Sequence, residues 1–507
     1  MSRRPLHVFA VFAIPSLLGG ITGRLLLERM NRDAPALADA RHRDEAPRPP
    51  RPTATPSARL VVVVIDGVGE RYFDRAARDG VLRPVTWTQR FDTGTPSLSR
   101  PSYHVMFTGV PQEAAAIRNN LHRGRARADT VMDRLRDEGA TVAWALETVD
   151  WMHSLAGLPH EDWLRLDAAR DPATLVTLAR GHTLTVVHWV TPDETAHAEG
   201  RDSAAYEHAV ATCFERASRL HDRLAEAFGD EGFTLLVGAD HGHVAHGGHG
   251  GPERDVVETE WVRLGGPRVA VPPSPRRPEG ALAATLTNIL GVAPPRSAAV
   301  CPVPFPGVTS RADCAAIEAR GAALDARVRV IRSEAYNRAR VRLAVFAFVA
   351  LVSLVGVRPA ALRRRAARAL AAAFALSVGA SLAFALLGPG VTLSAIRSER
   401  AYVVHAGSTL LLGAALAWPL VRRLTSARTL DTAVAMSLAP LAALIYTADR
   451  AGQAMLDVRG QLLAPTVGML PAAACAALGL WSLVRQRLRS QQEPGGRAPA
   501  ASPTVAS

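Results

Sequence analysis

The sequence predicts an α/β fold, a mostly parallel sheet with helices on both faces, joined to an α-helical transmembrane bundle. Three observations carry this. Short β-branched apolar runs alternate with helix-like stretches over residues 59–335. Long apolar spans with few charges replace them from Leu343 onward. The arginine clusters between those spans all fall on one side of the implied membrane.

The sheet comes first. Leu60 to Ile65 is a continuous apolar run, mostly β-branched, as a strand buried on both faces requires. Val142 to Leu146, Leu184 to Val190 and Phe233 to Val237 repeat the pattern, with helical stretches such as Ala128–Glu138 and Ser203–Ala227 between them. Strands alternating with helices imply parallel pairing, and ligands of such sheets bind beyond the carboxyl ends of the strands.

The membrane elements follow. Residues 1–24 hold Met-Ser-Arg-Arg-Pro, an apolar run from Leu6 to about Ile21, and Arg24. They read as an uncleaved signal anchor, because Ile21-Thr-Gly-Arg-Leu offers no small-x-small cleavage site; a cleaved signal peptide is the alternative. Residues 25–58, rich in proline and arginine, form an extended tether, and residues 59–335 a folded outer domain. Apolar spans at 343–357, 369–388, 401–421, 432–448 and 463–484 make residues 336–489 a five-helix region, followed by a disordered cytoplasmic tail, 490–507. With the N-terminus inside, the clusters Arg363–Arg368, Arg422–Arg423 and Arg485–Arg489 all land in the cytoplasm, as the positive-inside rule demands.

That placement accounts for much of the net charge of +13 and excludes nucleic-acid binding, since no basic surface interleaved with aromatics is present. Four cysteines are too few for a disulfide scaffold; Cys301 and Cys314 either pair in an oxidising compartment or stay as two small residues. The sequence sets no oligomeric state.

Four segments carry chemistry. Asp66 ends the first strand in Val-Val-Ile-Asp-Gly-Val. Thr95-Pro-Ser-Leu-Ser-Arg-Pro-Ser-Tyr-His104 contains three serines and leads to Thr108-Gly109. Thr191-Pro-Asp-Glu-Thr-Ala-His197 sets Asp193 and His197 one helical turn apart, aimed at a common point. Gly238-Ala-Asp-His-Gly242 brings Asp240 and His241, and Gly247-Gly-His-Gly-Gly251 brings His249 on a backbone able to approach closely. His243 and His246 could be ligands as well, but they read first as polar residues filling the same bend. Each piece alone is weak: Asp-Gly after a strand is commonly a turn. Together they supply aspartate and histidine ligands at strand ends, a donor mixture that suits zinc better than calcium or magnesium.

In these motifs the chain resembles the alkaline-phosphatase superfamily, in the branch of type I phosphodiesterases/nucleotide pyrophosphatases and GPI ethanolamine phosphate transferases. The likeness to the transferases lies in Ser99-Arg-Pro with His104 and Thr108-Gly109, in Gly248-His-Gly followed by Glu258-Thr-Glu-Trp-Val, and in Leu286–Pro295. The resemblance covers about residues 59–300 and implies an alkaline-phosphatase-like sheet. It implies Ser99 as nucleophile, with Ser97 and Ser102 as rival hydroxyls. Asp66, Ser99, Asp240 and His241 would surround one divalent ion, and Asp193, His197 and His249 a second. The ions would be zinc, with manganese as alternative. Arg100, Ser102 and His104 are the implied substrate contacts. Ser102 stands where the phosphodiesterases carry Asn, and Tyr103 where a sulfatase signature requires Arg, which points away from both a nucleotide pyrophosphatase and a sulfatase.

The implied enzyme is a membrane-anchored phosphodiesterase or phosphoethanolamine-type head-group transferase acting on a phosphate ester or phospholipid. High alanine and arginine content looks bacterial, which implies the inner membrane with the catalytic domain outside the cytoplasm. The competing reading is a multi-span transporter or scaffold with a degenerate outer domain. The intact ligand set and sparse intramembrane charge weigh against it.

Overall fold

The computed structural model describes residues 59–330, with breaks at 116, 118–119, 121–125, 127, 148–162, 166–169, 267–274 and 311, and isolated positions between 333 and 423. Among the described residues no helix is long and apolar enough to cross a membrane. The anchor, tether and cytoplasmic tail lie outside the described residues, as do the five apolar spans apart from isolated positions.

The strands are β1 Arg59–Ile65, β2 Val85–Asp92, β3 Val142–Leu146, β4 Trp163–Arg165, β5 Leu184–Trp189, β6 Phe233–Gly238, β7 Glu258–Leu264 and β8 Arg277–Pro278. They form one sheet in the order β4-β3-β5-β1-β6-β7-β2-β8. The helices are α1 Glu70–Arg78, α2 Ser99–Thr108, α3 Val131–Asp137, α4 Pro172–Gly181, α5 Thr191–Glu199, α6 Ala204–Phe228, α7 Arg254–Val257 and α8 Ala281–Ile289.

The strands anticipated from apolar runs are the central parallel block β3-β5-β1-β6. The sheet as a whole is mixed and mostly parallel: among the described strands β7 alone runs against the rest, pairing antiparallel with both β6 and β2. β2 and β7 escape a search for continuous apolar runs for a simple reason. In β2 only Trp87, Gln89 and Phe91 face inward, and Thr88, Arg90 and Asp92 alternate outward, the period-2 pattern of a strand with one solvated face.

β1 sits at the centre, and its alternation sorts the two cores. Leu60, Val62 and Val64 pack with Tyr103, Met106 and Phe107 of α2, Val131 and Leu135 of α3, and Leu282 and Leu286 of α8. Val61, Val63 and Ile65 pack on the opposite face with Phe73 of α1, Leu175 of α4, and Phe214 and Leu220 of α6. Helix ends follow their local chemistry. Thr130 caps α3 through a reciprocal pair with Asp133, so the helix starts at Val131 rather than Ala128. Ser203 caps α6 through the Tyr206 amide. Cys301 and Cys314 are joined as a disulfide, which closes the question the sequence leaves open.

The antiparallel half carries one electrostatically costly group. Glu260 of β7 is buried, accepts a hydrogen bond from Thr88 of β2, and has its carboxyl pushed up to about 7, chiefly by desolvation. Its folded pKa lies above the ordinary value of 4.5, so the folded protein keeps a proton that the unfolded chain releases between those pH values. Stability from this residue is therefore lost as pH rises through that window, and the cost is complete above it. Glu260→Gln keeps an acceptor for Thr88 and removes the charge. It should raise the melting temperature at pH 8.5 by roughly 5 °C and leave it unchanged at pH 4.5, read by thermal unfolding at the two pH values.

Candidate metal and phosphoryl-transfer site

The site lies along the carboxyl ends of the parallel strands. Asp66 follows β1 directly, its amide held by the carbonyl of Trp189 at the end of β5. Asp240 and His241 follow β6, where neighbouring residues in an irregular segment face one site instead of opposite sides of a sheet. Gly238, at the end of β6, has to be glycine: a Cβ there would sit 2.0 Å from the Trp261 ring. Asp193 lies in the first turn of α5. Glu147, at the end of β3, receives the amides of Val190 at 2.7 Å and Thr191 at 2.9 Å and so fixes where that helix begins. Burial pushes the Glu147 carboxyl up, but these bonds and Arg170 outweigh burial and hold it below its ordinary range.

The first ligand set gathers around His241. Its Nε2 lies 3.3 Å from Asp66 Oδ1, 3.4 Å from Asp240 Oδ2 and 3.1 Å from Ser99 Oγ, and Ser99 Oγ is 3.5 Å from Asp66 Oδ1. In the second set, His197 Nε2 is 3.5 Å from Asp193 Oδ2, His249 Nε2 is 3.6 Å from Asp193 Oδ1, and the two imidazole nitrogens are 3.1 Å apart. A tetrahedral ion with bonds of about 2.0–2.1 Å places its ligands about 3.3 Å from one another. Both sets match that spacing.

The protonation pattern fits metal ligation as well. His241 and His249 each donate Nδ1–H to a backbone carbonyl, Gly242 at 3.2 Å and Ser97 at 3.0 Å, leaving the Nε2 lone pair for the site. Burial holds both rings neutral: it drives His241 well below its ordinary pKa and takes His249 down to about 3. Asp240 Oδ1 accepts the amides of Gly67 and His241, whereas Oδ2 is buried without a hydrogen-bond partner. Burial and the neighbouring Asp66 carboxylate push the Asp240 carboxyl up. Burial acts the same way on Asp193, but the surrounding histidines outweigh it and hold that carboxyl below its usual range. Orphaned carboxylate oxygens, neutral imidazoles and crowded acids together call for a cation.

Of the three serines, Ser99 is the one beside both Asp66 and His241. Ser97 Oγ is committed to the Gly251 carbonyl at 2.8 Å, and Ser102 Oγ is buried within α2 with no hydrogen-bond partner among the described residues. Ser102 lies one turn along from Ser99 on the same side of the helix. Arg100 and His104, also buried, are turned from Ser99 by about 100° or more on helical geometry.

Sequence reading missed four residues. Tyr103 donates to Asp66 Oδ2 at 2.6 Å, and His188 Nε2 lies 3.0 Å from the same oxygen, so Asp66 turns Oδ1 toward His241. Asn120 Oδ1 accepts the Arg100 amide at 3.0 Å, which sets a side-chain amide at the N-terminus of α2 next to Ser99. His243 Nε2 lies 2.9 Å from Asp193 Oδ1, with Nδ1 donating to the Gly247 carbonyl at 3.0 Å. A Cβ on Gly67 would come within 2.5 Å of that Nε2, and Gly67 has φ +77°, so glycine is required there twice over. Tyr103 is legible as Ser99 plus four on a helix; His188 carries no signal, being one polar residue inside an apolar strand.

The sequence matches no protein-family model and no curated protein. Among solved structures the chain is similar to a 2-O GAG sulfatase, at 12% identity over 48% of this chain and 72% of that one, TM-score 0.38. It is similar to the murine ectonucleotide pyrophosphatase/phosphodiesterase 5, at 16% identity over 36% of this chain and 57% of that one, TM-score 0.31. A third is a lipoteichoic acid synthase from Listeria monocytogenes, at 8% identity over 46% of this chain and 72% of that one, TM-score 0.35. The match therefore spans little more than half of the phosphodiesterase.

The ligand geometry sets a direct expectation. Purified protein should carry about two divalent ions per chain, counted by elemental analysis. His197→Ala and Asp240→Ala should each lose about one, from different sets, while the double substitution loses both. A single variant that emptied both positions would show the sets to be one.

Proposed function

We propose that this chain is a metal-dependent phosphoryl-transfer enzyme of the alkaline-phosphatase superfamily, with Ser99 as its nucleophile. The observation that carries the reading is the position of Ser99 Oγ at the start of α2. It lies within 3.5 Å of Asp66 Oδ1 and His241 Nε2, members of one ligand set, while the loop carrying His241 also carries His249 of the other.

Asp66, Asp240, His241 and Ser99 would hold one ion, and Asp193, His197 and His249 the other. The mixed nitrogen and carboxylate donors favour zinc, with manganese acceptable. Such ions acidify a hydroxyl at neutral pH and stabilise both the attacking and the leaving oxygen of an in-line displacement. The chain's own groups do the rest. Ser99 Oγ forms a bond to phosphorus as the bond to the leaving alcohol breaks, and an acceptor oxygen, from water or an organic hydroxyl, then displaces the serine. The Asn120 side-chain N–H, its oxygen being taken by the Arg100 amide, would give a donor to the phosphoryl oxygens. Tyr103 and His188 keep Asp66 turned toward Ser99.

The substrate of this reading is a phosphodiester at a membrane surface, such as a phospholipid head group. The apolar spans after Leu343 and the one-sided arginines support an integral inner-membrane protein with residues 59–335 outside the cytoplasm. Reporter fusions after Ala335 and after Leu430 should then report opposite sides of the membrane.

With the protein in detergent, Ser99→Ala should lower turnover of an artificial phosphodiester by about 10³-fold or more, with metal content kept near that of the wild type. Ser97→Ala and Ser102→Ala should retain far more activity. Full turnover in Ser99→Ala would remove the nucleophile and the reading with it.

A further inference from the structure

One residue from the far part of the sequence reaches the site. Ser394 lies between the third and fourth apolar spans of the sequence, the anchor being the first, yet it is 1% exposed and bound into the loop that carries His249. Its Oγ accepts the Gly251 amide at 2.9 Å and donates to the Glu253 carboxylate at 2.6 Å. Its carbonyl accepts from His246 Nε2 at 3.0 Å. The approach is so close that a Cβ on Gly248, next to His249, would fall 1.7 Å from the Ser394 oxygen. Only glycine fits there.

The Gly251 peptide is thereby held from both sides. Ser394 takes its N–H, and Ser97, two residues before the nucleophile, donates to its carbonyl at 2.8 Å. Ser97 in turn offers its own carbonyl to His249 Nδ1 at 3.0 Å, the bond that leaves the His249 Nε2 lone pair for the site. A continuous run of hydrogen bonds thus leads from Ser394 through Gly251 and Ser97 to a candidate ligand.

We propose that Ser394 is a positioning residue, and that the second ligand set is fully formed only when Ser394 is bound to the 246–253 loop. The proposal rests on the metal-dependent reading of the site. It has a topological consequence. A hydrogen bond cannot reach through a hydrocarbon core of about 30 Å, so, where the flanking spans cross the bilayer, the connection between them lies on the same side as residues 59–330.

Two measurements on the full chain in detergent test this. The first is a Gly251→Cys/Ser394→Cys pair under mild oxidation, with tryptic peptides read by mass spectrometry; the expected result is a linked peptide joining the two positions. The second is zinc affinity by competition with a chromophoric chelator, alongside turnover. Ser394→Ala should weaken one of the two ions by about tenfold or more, as loss of support behind a ligand does, and Ser394→Thr, which keeps the hydroxyl, should recover most of it. The other ion should stay as in the wild type. No crosslink, with both ions bound normally, overturns the docking. A crosslink with unchanged zinc affinity and turnover in Ser394→Ala, whatever its melting temperature, overturns the positioning role. Wild-type protein that takes up no divalent ion overturns the proposed function and that role together, even where the crosslink forms.

Discussion

The rest of the site depends on two carboxylates being brought together in dry protein. Asp66 leaves β1 and Asp240 follows β6, its neighbour in the sheet, and both end within 3.4 Å of the same imidazole nitrogen. The sheet is covered on both faces, so water does not screen them; burial and mutual repulsion drive the Asp240 carboxyl up. Such a pair either shares a proton or holds a cation. The surrounding bonds favour the cation. Asp240 spends one oxygen on two backbone amides and Asp66 spends one on Tyr103 and His188, so each presents a single oxygen to His241 and Ser99. Both sets are built from groups that turn acceptor lone pairs inward, and a shared proton bridges only two of them, whereas a cation meets several at once.

How much of this could be read from the chain follows from what each residue contacts. β1, β3, β5 and β6 are buried on both faces, so most of their positions are apolar and the run is visible without a partner. The convergence of the candidate ligands was legible for a related reason: a parallel strand delivers the residue after its end to the ligand-binding edge, and α5 spaces Asp193 and His197 by one turn. What escaped depends on three-dimensional pairing. β2 mixes polar and apolar positions because one of its faces is solvated, whereas β7 carries Thr259, Glu260 and Arg263 in the interior and so shows no continuous apolar run. His188, Asn120 and Ser394 act through contacts 122, 20 and 143 residues away in sequence, and no local pattern records such partners.

His243 shows the limit from the other side. A polar residue in a glycine-rich bend is ordinarily solvated, which is how the sequence reads it. In the fold it is completely buried, its backbone carbonyl bound by Arg201 at 2.8 Å and its ring set against Asp193. Arg201 also pairs with Asp255 at 2.6 Å, so the loop is fixed from outside by one guanidinium while its histidines are fixed from inside by backbone carbonyls. The glycines are what permit this density. Gly67, Gly238 and Gly248 each sit where a Cβ would strike a ring or a carbonyl.

Those contacts make the two ligand sets a single mechanical unit. His241 belongs to one set and His249 to the other, yet their rings stack with centroids 3.9 Å apart and planes within 11°. The segment 239–253 carries both, so displacing either ring along the stacking direction moves it into its neighbour. The proposed nucleophile is tied to the same unit, because the His249 ring is held by the carbonyl of Ser97 and Ser99 begins the helix two residues later. Ser99, Asp66 and the two stacked histidines therefore keep their relative positions through backbone bonds that do not depend on an exposed side chain. A site organised in this way can hold a phosphorus atom between fixed oxygens and fixed donors, which is the demand that in-line displacement makes on a protein. It also concentrates control in the loop: anything that grips residues 246–253 from outside acts on His249 and, through Ser97, on the start of the helix that carries Ser99.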